Sequence, residues 1–463
     1  GSCIITTIEM ATMGPPPAAG HEDDGHGGWD VQDIDGDRTA LLSGVNDTDG
    51  CGDAESGPGL TTFGAAGFIV SIILGLGVLG IPWAFARLGW ILGLALLAAS
   101  AVSSVYSGWL INALAAHVTV ARRGTAPRKY AELGEHAFGP AGRVVVRATQ
   151  YAFLAGCIVA VQLTASHSLF AVVHVLGGGL CLMTCNTVIA ATMLPVMQLQ
   201  RLAEITPVAI MGVIMILLPL LLYLTQLPPR HGGGTSTDTR VPAGSGVSDI
   251  ASAATTLCFA YQGQTIFPEI RSEMRAPATF PRSVVWATSL MTATYLVVGV
   301  AGYALLGTEA DYLNKWDNDT NPTAWRTVAA NIMLIIHVMT GYTINGNVMN
   351  QAIAEGVFGR SRSRRAWFGV TVITLAASWT LSNAIPTLGL LISFIGATCG
   401  VMLTFLIPIA CGFKLLRSGW SPRVLAGHAT VLAAALALLG VGTWTTSTRL
   451  VAGIANHTKS FQC

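Results

Sequence analysis

Two short stretches carry residue types that could do chemistry with the backbone alone. The first is GLGVLGIPWAFARLGW over residues 75–90, in which Gly75, Gly77 and Gly80 are followed by Pro82. The second is FAYQGQT over 259–265, followed by Pro268. Both lie inside apolar runs. Backbone N–H and C=O groups find no water in hydrocarbon, so an interrupted helix survives there only where it lines a cavity or a site. Unwinding at Gly75 and Gly77 would free N–H donors near the positive end of a half-helix, which suits a carboxylate. Unwinding around Phe259 to Gln262 would free carbonyls, which suits an ammonium. A zwitterion bound this way needs no charged side chain, and almost no acid or base lies deep within an apolar run. The competing reading is close helix packing at small residues. It serves any one glycine, but explains poorly the pairing of the breaks and the polar Gln-Gly-Gln-Thr run.

The elements that must position these stretches are membrane helices. Of 463 residues, 52% are hydrophobic and 11% charged, with a mean hydropathy of +0.58, whereas soluble domains carry about 25% charged residues. Apolar runs long enough to cross a hydrocarbon core recur along the chain. They predict eleven spans near 62–88, 90–117, 143–174, 180–197, 204–226, 247–269, 282–306, 325–350, 367–384, 386–413 and 423–446. The breaks fall in spans one and six, which take corresponding positions if spans 1–5 and 6–10 form two related halves. Paired interruptions of this kind point to the site of an inverted-repeat transporter. Residues 61–447 then form the transmembrane domain. Residues 1–60 read as a disordered acidic cytoplasmic tail, and 448–463 as a short luminal or extracellular one. No signal-peptide pattern opens the chain.

Basic residues orient the spans. With the N-terminus in the cytoplasm, inside loops hold seventeen of the 25 Lys and Arg and outside ends hold seven, which satisfies the positive-inside bias. Asn318 and Asn456 head glycosylation sequons, and both fall outside in this arrangement. Within the tail, Asp37, Leu41 and Leu42 form an acidic-dileucine pattern that would engage a sorting adaptor for endolysosomal or vacuolar membranes; the plasma membrane is the other location considered. The nine cysteines show no zinc or redox spacing, and Cys181 and Cys185 read as packing residues. The RSRSRR run at 360–365 is explained by the inside-loop charge bias, with anionic lipid the alternative.

Four stretches, GLGVLGIPWAFARLGW, FAYQGQTIFPEIRSEMRAPATFPRS, IIHVMTGYTINGNVMNQAI and LLISFIGATCGVMLTFLIPIACGFKL, resemble the amino acid/auxin permease family. They fall in spans one, six, eight and ten, and the resemblance covers roughly residues 60–445. It implies an all-α polytopic membrane protein with about eleven transmembrane helices in a LeuT-type 5+5 inverted repeat, with helices 1 and 6 broken. It implies secondary active transport of amino acids, by symport or antiport. By position it assigns substrate binding to Gly75, Gly77, Gly80, Phe259, Tyr261 and Gly263, with Thr340 and Tyr342 added from span eight. Two departures stand out. Many relatives carry asparagine where this chain has Ser71, and many plant relatives carry histidine where it has Gln264.

A neutral amino acid driven by protons is the first expectation, with alternating access. Sodium coupling, auxin transport and a non-transporting amino-acid sensor are the alternatives. Candidate ion-coupling residues are Ser71, Glu269 and His337, because ionisable groups within a membrane are costly and hence functional candidates. For His337 the competing role is a neutral packing residue, and for Glu269 pairing with Arg271 or Arg275. No nucleophile elbow, metal motif or paired-acid constellation appears. The expectations are therefore no catalytic residue, no enzyme activity, no metal and no cofactor, with amino acid and lipid as partners and no nucleic acid.

Overall fold

Every one of the eleven apolar runs is occupied by helix in the computed structural model. The structure describes residues 59–198, 206–226, 239–242, 244–312, 324–358, 363–385 and 387–456. Among the described residues there is no strand, only an isolated parallel bridge between Leu60 and Met274. Within those residues six helices are long and apolar enough to cross a membrane, and three shorter ones are also apolar.

Span one is divided. Helix α1 (Thr62–Ile73) starts at Thr61, whose side chain accepts from the Gly64 N–H, and stops at Leu74. A single turn, α2 (Leu76–Leu79), follows. Pro82 then opens α3 (Ile81–Ala121), a position where its missing N–H costs nothing. Helix α3 bends at Gly89 (φ 70°, ψ −176°), so the tight junction expected between spans one and two is a glycine kink. Helix α4 (Tyr130–Val175) begins thirteen residues before the apolar run and bends at Gly139 and Pro140. Helices α5 (Leu182–Val196) and α6 (Thr206–Leu224) complete the first five runs.

Span six mirrors span one. Helix α7 (Val247–Ala260) ends at Tyr261, a 3₁₀ turn covers Gln264–Ile266, and α8 (Phe267–Ser272) resumes. Then come α9 (Phe280–Leu306), α10 (Ala324–Phe358) and α11 (Arg364–Ala384). Span ten is α12 (Leu388–Ile395), two π-helical stretches over Gly396–Gly400 and Met402–Leu406, and α13 (Ile407–Leu415). Helix α14 (Pro422–Asn456) outlasts the expected span by ten residues.

Helices α4 and α10 pack along each other at the centre, α3 lies against α9 and α7, and α14 runs along the outside against α7 and span ten. The outward position of α14 matches its largely unburied apolar surface, which lipid would cover. Cys185 is free and buried, as the packing role requires. Cys181 is instead disulfide-bonded, a pairing that its spacing from Cys185 did not signal.

Candidate functional site

The two breaks touch. A Cβ at Gly77 would overlap the Cα of Ala260, and one at Gly263 would overlap the Ile73 side chain. Each break therefore seats its glycine against the other broken helix. Gly80 is closed in as well, since a Cβ there would lie 2.7 Å from Tyr312 and 2.9 Å from Thr256. At Gly75 the neighbour is His337, whose Nε2 would be 3.0 Å away. These glycines permit contact between backbones and rings where any side chain would hold them apart.

Side chains from four other elements supply partners to the opened backbone and to the Gln-Gly-Gln segment. The Tyr295 hydroxyl of α9 donates to the Ala260 carbonyl at 2.6 Å. Gln150 Nε2 of α4 donates to the Thr265 carbonyl at 2.9 Å. Ser104 Oγ of α3 lies 3.5 Å from the Tyr261 carbonyl. Gln262 Nε2 donates to the Gly400 carbonyl at 3.1 Å and to Thr404 Oγ1 at 2.6 Å, reaching the π-helical part of span ten. Thr404 in turn donates to Gln264 Oε1 at 3.2 Å, which also accepts from the Gly263 N–H. Because Gly400 offers only an acceptor, the Gln262 amide orientation follows from the network. Its Oε1 then has no hydrogen-bond partner among the described residues.

The expected site residues fall into two groups. Gly75, Gly77, Gly80, Gly263 and the Phe259–Tyr261 segment converge on the crossing. Phe259 packs against Phe153 of α4, ring centroids 6.0 Å apart. Tyr261 turns to α9, with its hydroxyl 2.8 Å from Thr292 Oγ1 and its ring edge-on to Tyr295. The span-eight pair points elsewhere. The Tyr342 hydroxyl sits 2.7 Å from Ser378 Oγ on α11, and Thr340 bonds back to the Ile336 carbonyl of its own helix.

Among the ion-coupling candidates, His337 is buried, with Nδ1 2.8 Å from the Gly212 carbonyl. Its ring also faces the backbone of Leu74, the last residue before the first break. It thereby ties α6 to the end of α1. Ser71 Oγ donates to the Phe68 carbonyl at 2.8 Å. The pairing considered for Glu269 is not formed: Arg271 Nε donates to Asn112 Oδ1 and Arg275 Nε to the Gly59 carbonyl. Among the described residues the Glu269 carboxylate makes no hydrogen bond or ion pair. Asp37, Leu41, Leu42 and Asn318 lie outside the described residues, and Asn456 ends α14.

Residues 58–451 match the family described as transmembrane amino acid transporter protein. The chain belongs to that family. Relatives from Arabidopsis thaliana include amino acid transporter AVT1C, 24% identical over 84% of this chain and 69% of the relative. Amino acid transporter AVT1B is 25% identical over 82% of this chain and 70% of its own length. Lysine histidine transporter-like 6 is 25% identical over 73% and 79%. A member of this family is a transporter and not an enzyme.

For a transmembrane amino acid transporter, the crossing holds a polar interior without fixed charge. Gln150, Tyr295 and Thr404 are the side chains that sequence reasoning passed over. A weak signal existed for the first, since Gln150 is an uncharged polar residue within an apolar run and such groups bond across helices. Tyr295 and Thr404 had none, because only the packing brings their hydroxyls to the breaks.

Proposed function

We propose that this transporter carries neutral amino acids by alternating access, driven by protons. The proposal includes eleven spans in a LeuT-type 5+5 inverted repeat, with the N-terminus cytoplasmic and the C-terminus outside. The observation that carries it is the reciprocal seating of the breaks, Gly77 on Ala260 and Gly263 on Ile73. A pseudo-twofold repeat would produce such a relation, and it brings both interrupted backbones to one place. The substrate carboxylate would take N–H groups at Gly75 and Gly77. The ammonium would replace donors such as Tyr295 and Gln150 at the second break, or find Gln262 Oε1.

A neutral substrate fits side chains that carry no fixed charge. One relative is named a lysine histidine transporter-like protein, but a cationic substrate would call for an acid that this crossing lacks. Proton coupling is favoured by Glu269. It follows directly on the second break and has no ion-pair partner among the described residues, while Lys129, the cation that acts on it, pairs with Glu355 at 3.8 Å. Sodium has weaker support, because Ser71 and Thr343 both bond to their own helix carbonyls.

Uptake of radiolabelled amino acids into proteoliposomes tests this. An acidic exterior is expected to stimulate uptake without sodium, and Glu269→Gln is expected to abolish the stimulation. Strict sodium dependence, with no effect of the pH gradient, would overturn proton coupling. Binding without flux under any gradient would favour the sensor.

A further inference from the structure

On the side that the proposed orientation makes cytoplasmic, one lysine faces two acids. Lys129 stands immediately before α4, and Glu355 lies near the end of α10. Their ion pair spans 3.8 Å, and each side chain is about half exposed. Neighbouring pairs are tighter. Arg122 Nη1 reaches Glu132 at 2.9 Å, and Arg143 Nη1 reaches Glu135 at 3.0 Å. Arg271 and Arg275, close to Glu269 in sequence, bond to Asn112 and to the Gly59 carbonyl. Lys129 is thus a loosely held cation beside four engaged arginines.

Glu269 and Glu355 share these surroundings. Lys129 acts on Glu269 as well as pairing with Glu355. Arg143, Arg147 and Tyr151 follow one another at four-residue spacing along one face of α4, and Tyr151 lies within Coulombic range of both carboxylates. Glu273 and Glu132 are the other charged groups that act on Glu269, and Glu132 is already paired with Arg122. Glu269 itself makes no hydrogen bond or ion pair among the described residues.

A carboxylate without a counter-ion holds its proton in such a place, and an ammonium brought alongside expels it. Lysine suits that exchange. Its charge is compact and rides on a flexible four-carbon stem, so it changes partner without the geometric demands of a guanidinium fork.

We propose that Lys129 is a counter-ion shared between Glu355 and Glu269, and that its transfer from the first to the second expels the coupled proton. It rests on the proton-coupled reading and deepens it. While Lys129 holds Glu355, the start of α4 is tied to the end of α10 and Glu269 keeps its proton. When that tie opens, the Glu269 O–H bond breaks and its electron pair stays on the carboxylate. The proton passes to water on the Lys129 side, and the ammonium takes its place beside the carboxylate. Opening and proton release become one event, and by linkage a proton on Glu269 favours the closed tie.

Net uptake by the full chain tests it, in proteoliposomes oriented with Lys129 inside, at fixed external and varied internal pH. The probe is whichever of radiolabelled L-alanine, L-glutamine and L-leucine the wild type takes up fastest. Acidifying the interior should inhibit wild-type uptake. Lys129→Gln should move half-inhibition to a more alkaline pH by about one unit or more, because Glu269 then releases its proton less readily. Glu355→Gln should move it to a more acidic pH, because Lys129 is then free for Glu269. The double variant should match Lys129→Gln alone, since Glu355 acts through the lysine. If Lys129→Gln fails to fold by size-exclusion profile, the acidic shift in Glu355→Gln decides. Unchanged half-inhibition in the folded variants, single variants shifted in the same direction, or a double variant midway between the singles would overturn the exchange and leave proton coupling intact. A wild type whose uptake ignores pH on both sides would overturn the proton-coupled reading itself.

Discussion

Where the broken helices cross, a missing methyl group decides the geometry. Gly77 lies on the Ala260 backbone, so even alanine there must push the helices apart. Overpacking of this kind costs about 1–3 kcal/mol, and it acts on the unwound segments proposed to hold substrate. Gly77→Ala is therefore expected to lower the melting temperature and abolish uptake. Gly67, earlier in the same span within α1, has nothing within 4 Å of an added Cβ. Gly67→Ala should be neutral, or stabilising by about 0.4–1 kcal/mol, because alanine loses less backbone entropy on folding. A Gly77→Ala protein as stable and active as Gly67→Ala would mean that the crossing is looser than described. At His337, sequence and structure supply different halves of the account. A titratable ring in an apolar run was conspicuous, but its reach to the Gly212 carbonyl depends on α6 lying alongside α10.

At the scale of elements, the apolar runs were legible because hydrocarbon leaves little choice: a run of about 20 apolar residues must be helical to satisfy its backbone. Both interruptions were legible for the same reason, since glycine and proline recur where a helix should not stop. The start of α4 was not. Residues 130–138 carry Glu132, Glu135 and His136 and read as a loop, yet Tyr130, Leu133 and Ala137 are buried, and the Tyr130 hydroxyl donates to the Leu403 carbonyl at 2.9 Å. The π-helical stretches of span ten were equally hidden. Nothing in GATCGVMLTF forbids an ordinary helix, and the stretch shows its distinction only where Gly400 and Thr404 meet Gln262. The half-helices α1 and α8 are also stitched together, with Leu60 N–H donating to the Glu273 carbonyl at 2.9 Å and Arg275 N–H to the Leu60 carbonyl at 3.1 Å. That pairing suits two half-helices that move as a unit. Gly89 offers the sharpest element-scale test. Its φ of 70° with ψ of −176° belongs to a region that is essentially glycine-only, outside the left-handed helical basin that asparagine tolerates. Gly89→Ala and Gly89→Asn should therefore destabilise alike, by roughly 1–3 kcal/mol, measured by thermal unfolding in detergent. A clear rescue by asparagine would refute the stated geometry.

For the whole molecule, the last helix connects fold and orientation. Helix α14 has 35 residues, which at 1.5 Å per residue is about 52 Å, well beyond the roughly 30 Å hydrocarbon core. If Arg423 marks the inner surface, as the positive-inside bias requires, the final turns stand clear of lipid on the outer side. Arg449 then sits beyond the hydrocarbon, where a partly exposed ion pair with Asp249 costs little desolvation. Asn456 lies further out still. The disulfide at Cys181, between α4 and α5, falls on the same side in this arrangement, and disulfides persist where the compartment is oxidising. This orientation has a gel-based consequence. Protein made in a eukaryotic host should shift to lower mass on treatment with an N-glycosidase. Asn318→Gln and Asn456→Gln should each remove part of the shift, and the double variant all of it. Both sequons face the same side only if an even number of crossings separates them, as spans eight to eleven provide. A shift retained by the double variant would place the glycan elsewhere. No shift in wild type, together with protease cleavage of a C-terminal tag from the cytoplasmic side, would invert the topology. Arg449 and its ion pair with Asp249 would then face the cytoplasm.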